Sequence, residues 1–260
     1  MTTTHRRGAT AAACLLASLA AALLAAGTAA AHEGHVHRGP ALPFGGGTAQ
    51  GWVTMGADGR PASLGVSLSE AALRGIAGVH DGVALTLPFP AQAEESGFDH
   101  VLLNWNPHGH PPAGVWSTPH FDVHFYMVSP AERDAISEQD PEFQAKGARN
   151  PAAPFIPAGY VLESEPVPGM GVHWADAATP ELHGKAFTHT LIYGAWDGRF
   201  TFIEPMIDKS VLDARQTVVA PVAQAAQVAI PGLYPTRYRI DFDASAAEHR
   251  VVLEGLVARR

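Results

Sequence analysis

The run Pro119-His120-Phe121-Asp122-Val123-His124-Phe125-Tyr126 places two imidazoles and a carboxylate within five residues, separated by aromatic and β-branched side chains. Histidine and aspartate are costly in an apolar frame unless something binds or bonds them, and a metal ion would meet that need for all three. Upstream, Asn106-Pro107-His108-Gly109-His110-Pro111-Pro112 supplies two more imidazoles in a loop bounded by proline and glycine. Downstream, Gly171-Val172-His173-Trp174 offers another. Glu204 interrupts the apolar stretch Phe202-Ile203-Glu204-Pro205-Met206-Ile207, where a carboxylate needs a metal, an arginine or backbone donors. The candidate metal ligands are therefore His108, His110, His120, His124, His173 and Glu204. Asp122 is either a ligand itself or stands behind an imidazole and orients it. His183 and His189 follow, the latter read as a core or surface histidine of a strand.

The chemistry open to these residues depends on the backbone beneath them. In a strand, His120, Asp122 and His124 share one face, and Phe121, Val123 and Phe125 share the other. Same-face neighbours then lie roughly 6.5–7 Å apart, so adjacent pairs can chelate one ion, whereas the outer two, about 13 Å apart, need a bulge to do so. In a helix, His120 and His124 stack one turn apart, as in a zinc peptidase, but Phe121 stands where that motif requires glutamate. The aromatic and β-branched content favours the strand.

Two other patterns fit less well. His120-Phe121-Asp122 with the distant His189 and Arg199 loosely matches the two-histidine, one-carboxylate arrangement of iron/2-oxoglutarate oxygenases, but Arg199 falls in an Asp-Gly turn and points to solvent. If a leader is cleaved after Ala31, His32 becomes the first residue and could chelate copper through its amine and ring. Loose metal scavenging by His32, His35 and His37 is the plainer reading of that segment.

The start of the chain reads as a secretory signal peptide over residues 1–31: His5, Arg6 and Arg7, an Ala/Leu run, then Ala29-Ala30-Ala31. The expected location is periplasmic or secreted, with no integral membrane segment after cleavage. The single cysteine, Cys14, lies inside that leader, so the remainder carries no disulfide and no thiolate metal site. Nitrogen and oxygen donors suit zinc, copper or iron, and sequence does not choose among them. With 25 Asp+Glu against 17 Lys+Arg and no basic cluster, the chain is a poor match for nucleic acid or anionic membrane surfaces. A homo-oligomer is compatible with these features, and the small-molecule ligand, if there is one, is not specified.

Residues 32–50 read as a flexible, histidine- and glycine-rich lead, and 51–260 as a single β-rich domain. Ala57-Asp58-Gly59-Arg60 and Trp196-Asp197-Gly198-Arg199 are hairpin turns between strand-like runs. Further strands are expected over Val83–Phe89, Phe98–Trp105, Phe121–Val128, Phe187–Ala195, Phe200–Pro205, Tyr238–Phe242 and Arg250–Val257. Ser67 with Glu70 and Ser129 with Glu132 mark two helix starts. The expected fold is mainly β, one antiparallel barrel or sandwich with two or three short helices.

Trp105 through Tyr126, with Gly171-Val172-His173-Trp174, Tyr193-Gly194-Ala195-Trp196-Asp197-Gly198 and Phe202-Ile203-Glu204-Pro205-Met206, resembles an uncharacterised family of exported bacterial proteins, a domain of unknown function. The motif Pro-His-Phe-Asp-x-His-Phe-Tyr is its most specific part. The resemblance implies a β-rich exported domain and assigns no catalytic residue. The expected function is binding of a transition metal through the central histidines. The alternatives are a non-catalytic envelope module with structural histidines, or a metal-dependent hydrolase or oxygenase.

Overall fold

The computed structural model describes residues 1–3 and 34–260. Residues 4–31 of the expected signal peptide, His32 and any copper site built on it lie outside the described residues. Among the described residues, no helix is long and apolar enough to cross a membrane.

Four strands open the fold: β1 (Val36–Arg38), β2 (Leu42–Phe44), β3 (Gly47–Met55) and β4 (Pro61–Ser69). Seven follow: β5 (Val83–Pro88), β6 (His100–Asn106), β7 (His120–Tyr126), β8 (Tyr160–Leu162), β9 (Val172–Asp176), β10 (His189–Trp196) and β11 (Arg199–Asp208). The last five are β12 (Val218–Pro221), β13 (Gly232–Tyr234), β14 (Arg237–Asp243), β15 (Glu248–Glu254) and β16 (Val257–Arg259). One seven-stranded antiparallel sheet runs β1-β3-β4-β15-β14-β12, with β2 also on β3. The second runs β5-β6-β7-β11-β10-β9-β8, and β13 pairs with β16 separately. The arrangement is a sandwich, and neither sheet closes into a barrel. Four short helices accompany the strands: α1 (Glu70–Ile76), α2 (Pro130–Asp134), α3 (Phe143–Gly147) and α4 (Lys209–Asp213).

Both turn expectations hold. β10 runs into β11 through Asp197 and Gly198, at φ 50° and 81°, the left-handed pair that a two-residue hairpin turn requires. Ser129 caps α2 in a full capping box with Glu132. The first helix start is shifted by two residues: Ser67 stays in β4, and Ser69 caps α1 through the Ala72 amide.

The flexible lead expected over 32–50 is corrected. Residues from Val36 onward form β1, β2 and the start of β3, Gly45 and Gly46 make the turn between the last two, and Phe44 and Ala49 are buried. Backbone pairing does not depend on side-chain periodicity, and two buried residues suffice to dock the segment on the core.

The main core lies between the sheets, built by alternation. From the second sheet it takes Val101, Leu103, Trp105, Phe121, Val123, Phe125 and Ile203, and from the first Val53, Leu64, Val66 and Val251. Phe125, wholly buried, stacks on Phe89 at 6.2 Å and meets the edge of Phe98 at 6.5 Å. Replacing it with alanine removes both contacts and leaves a void in the middle of the sheet. Phe125→Ala is expected to cost about 3–5 kcal/mol of unfolding free energy, measured by chemical denaturation.

Candidate metal centre

The same alternation that sends Phe121, Val123 and Phe125 inward turns His120, Asp122, His124 and Tyr126 to the opposite face of the second sheet. That face is covered as well, because every residue of β7 is buried. Register across the sheet fixes who meets whom. On β6, Asn106, Asn104 and Leu102 stand opposite His120, Asp122 and His124. On β11, Phe202, Met206 and Asp208 stand opposite Tyr126, Asp122 and His120. Glu204, two residues from both Phe202 and Met206, therefore faces the same way, beside His124. His173 arrives from β9, where it pairs with Gly194 of β10.

Two triads result, each with two histidines and one carboxylate whose ligand atoms all lie within 4.8 Å of one another: His110, His120 and Asp122, and His124, His173 and Glu204. In the first, Asp122 Oδ1 is 3.1 Å from His120 Nε2, and its Oδ2 is 3.4 Å from His110 Nε2. In the second, Glu204 Oε1 is 3.3 Å from His124 Nε2, and Oε2 is 3.9 Å from His173 Nε2. Asp122 thus lies among the possible donors of the first triad. His120 and His124 fall into different triads, as strand spacing requires without a bulge. His108 joins neither. It is exposed on the turn in which the Gly109 amide donates to the Asn106 carbonyl. Its neighbour His110 is carried inward because Gly109, at φ 67°, lets the chain pass against Trp116, whose carbonyl accepts from the His110 amide at 3.0 Å.

The oxygenase pattern does not assemble. His189 lies on the core side of β10, with Nδ1 2.7 Å from the Tyr238 hydroxyl, and Arg199 is exposed beside Glu132 at 3.5 Å.

Hydrogen bonding fixes the ring orientations. His120 Nδ1 is 2.7 Å from the Thr118 carbonyl, His110 Nδ1 2.8 Å from that of Pro111, and His124 Nδ1 3.2 Å from that of Leu102. A carbonyl only accepts, so each Nδ1 carries the hydrogen, and each ring turns its Nε2 towards a carboxylate oxygen. A proton or a metal ion can stand between each Nε2 and its carboxylate oxygen. Asn106 donates to Asp122 Oδ2 at 2.6 Å, and the Ser164 hydroxyl lies 3.0 Å from His173 Nδ1.

Unmet hydrogen-bonding capacity gathers here. Ten buried side-chain polar atoms among the described residues have no partner, and five belong to this region: His120 Nε2, Asp122 Oδ1, Glu204 Oε2, Asn104 Oδ1 and Trp116 Nε1. Such atoms are rare in folded proteins and are usually explained by a ligand, an ion or water. A cavity of about 530 Å³, lined by Asp122, His110, His124, His173 and Glu204 among others, connects the two triads.

Charge follows burial. Burial holds His124 down to about 4 and His173 to about 3, so both rings are neutral at ordinary pH. Burial, helped by the Asp122 charge, pushes the Glu204 carboxyl well above the carboxylate range. Burial also works to raise Asp122, but His110 and His120 outweigh it and hold that carboxyl well below the usual range, while Asp122 in turn raises His110. The two triads therefore differ: the Asp122 triad holds an ionised carboxylate, the Glu204 triad a carboxyl that keeps its proton until something displaces it.

Sequence reading missed three supports. Asn106 lies one residue past the strand expected to end at Trp105, yet it closes β6. Ser164 sits in an irregular segment without a motif. Phe202 fills the space left by Gly194, where a Cβ would enter its ring, and meets His124 edge-on at 4.9 Å and His173 at 5.6 Å. A glycine inside an otherwise apolar strand was the available signal.

Residues 56–105 match the family model described as TTHB210-like, hypothetical protein TTHB210. The chain is thus similar, over most of β4 through β6, to an uncharacterised family. That match ends before β7 and contains no residue of either triad. No curated protein and no solved structure matches the chain.

Gly194→Ala should displace the Phe202 ring and cost about 1–3 kcal/mol by overpacking, read from denaturation midpoints. Through His124 and His173 acid works against the fold of the metal-free protein, while Glu204, whose carboxyl folding pushes up, works in the opposite sense. His124 and His173 bind protons more tightly when unfolded, so the stability they contribute is complete above pH 6.5 and declines as pH falls towards their folded values of about 4 and 3. As pH falls from 7 to 4 the melting temperature of His124→Phe should therefore rise relative to that of the unaltered protein, which isolates the histidine contribution.

Proposed function

We propose that this protein is exported and binds transition-metal ions through its two triads, one ion to each. The observation that carries this reading is the convergence of imidazole nitrogens and carboxylate oxygens, within 4.8 Å of one another in each triad, around buried, unpartnered atoms. His110, His120 and Asp122 would hold one ion, and His124, His173 and Glu204 the other. Three protein donors leave at least one coordination position open, which suits an ion acting as a Lewis acid or activating a bound water. Imidazole and carboxylate donors suit zinc, copper or iron. The protein's own part is geometric: Thr118, Leu102 and Pro111 fix the ring tautomers, Asn106 steadies Asp122, and Phe202 braces His124 and His173. Export is supported by the leader-like pattern of residues 1–31, and sequencing the N-terminus of the secreted protein tests it.

Elemental analysis of tag-free protein is expected to find two ions per chain, falling to one in His124→Ala and in His110→Ala with the fold kept. Asn106→Ala, which removes the donor to Asp122, should weaken the first site by roughly 10–100-fold. A protein that holds no metal and gains no thermal stability from zinc, copper or iron would retire this reading in favour of structural histidines. Binding at the Glu204 triad should release a proton from that carboxyl, because its histidines are already neutral. Calorimetry in buffers of different ionisation enthalpy measures the release, which Glu204→Gln should abolish, and affinity there should rise with pH.

A further inference from the structure

The cavity between the triads has walls of its own, and they select what could reach the ions. Four carboxylates line it: Asp122 and Glu204, both buried, and Glu163 and Glu165, which are more accessible. Among the described residues, no lysine or arginine lines it. Two divalent ions would balance those four carboxylates, leaving a cavity close to neutral with no cationic side chain to receive an incoming anion. An anion reaching an ion's open position would lie beside Glu163 and Glu165, whose charges oppose it, whereas an uncharged donor meets no such repulsion. The remaining wall is apolar. Trp116, Ile192 and Met206 belong to one buried cluster, and Val167 and Met170 add to the lining. Two polar atoms in this wall, Trp116 Nε1 and Asn104 Oδ1, lack hydrogen-bond partners, and one offers a donor while the other accepts. A volume of about 530 Å³ is in the range of small-molecule sites.

We propose that this cavity takes an uncharged small molecule with an apolar body and a single nitrogen or oxygen lone pair for the metal, and discriminates against phosphate and carboxylate compounds of the same size. The proposal rests on the metal reading above. Trp116, Ile192 and Met206 would seat the apolar body, and Glu163 and Glu165 would supply the discrimination against anions.

The test uses the full chain loaded with cobalt(II), with cobalt content measured first. 4-Phenylimidazole, benzoate and phenyl phosphate share one aromatic body and differ in charge. Each is titrated while the cobalt visible spectrum and tryptophan fluorescence are followed. 4-Phenylimidazole should bind tighter than either anion by about tenfold or more. The Glu163→Gln/Glu165→Gln double variant should bind the anions tighter and 4-phenylimidazole unchanged, which separates the effect of the walls from the metal's own ligand preference. Benzoate or phenyl phosphate binding as tightly as 4-phenylimidazole, or a preference unaltered in the double variant, would overturn the proposal while leaving the metal sites standing. Failure of cobalt to bind at all would overturn the metal reading and this proposal with it.

Discussion

Strand β7 is buried on both faces, and that constraint organises the molecule. Its inward side chains fill the space between the sheets. Its outward ones, His120, Asp122 and His124, are equally dry yet polar. Polar groups removed from water must be paired or their cost goes uncompensated. The surroundings of the strand are arranged to that end: backbone carbonyls meet the Nδ1 atoms, Asn106 meets Asp122, and loops fold over the face. The pairing is left unfinished at the Nε2 atoms and at one oxygen of each carboxylate. That residue of unmet need, concentrated in one cavity, separates this face from an ordinary buried hydrogen-bond network.

The period of the strand also determines that there are two triads. Alternate residues on one face sit too far apart for His120 and His124 to share an ion, so each recruits partners from elsewhere. His120 works with its neighbour Asp122 and a loop histidine, while His124 works with residues from β11 and β9. The environments diverge as a result. One carboxylate is flanked by two imidazoles and stays ionised, and the other lies deep among neutral rings and keeps its proton. The two triads have similar donors but opposite charge habits.

Much of this was readable from residue order. Alternation in Phe121–Phe125 gives both the strand and the face on which its polar residues fall, and the Asp197-Gly198 turn gives the β10–β11 hairpin. Glu204 announced itself as a charge inside an apolar run, and His173 as an imidazole among glycines. What sequence does not carry is register between strands distant in the chain, so the division of ligands into two triads emerged only from the pairing of β7 with β11 and of β9 with β10. His108 and His110 are alike in composition and spacing, and a loop has no period to tell the inward residue from the outward one. The strands before Gly51 were hidden for a related reason: their pairing is made by backbone atoms, which leave little trace in residue type.

His110 is the one member of either triad that no strand carries, and its side chain is about a third exposed while those of His120 and His124 are almost fully covered. The other five are anchored in a sheet whose central strands open only when much of the fold opens. The loop around Gly109 and the segment that carries Glu163 and Glu165 are the less buried parts of the cavity's rim. A swing of that single imidazole would unlatch one triad without disturbing a backbone ladder, so the loop-bound triad can open on a faster clock than the sheet-bound one.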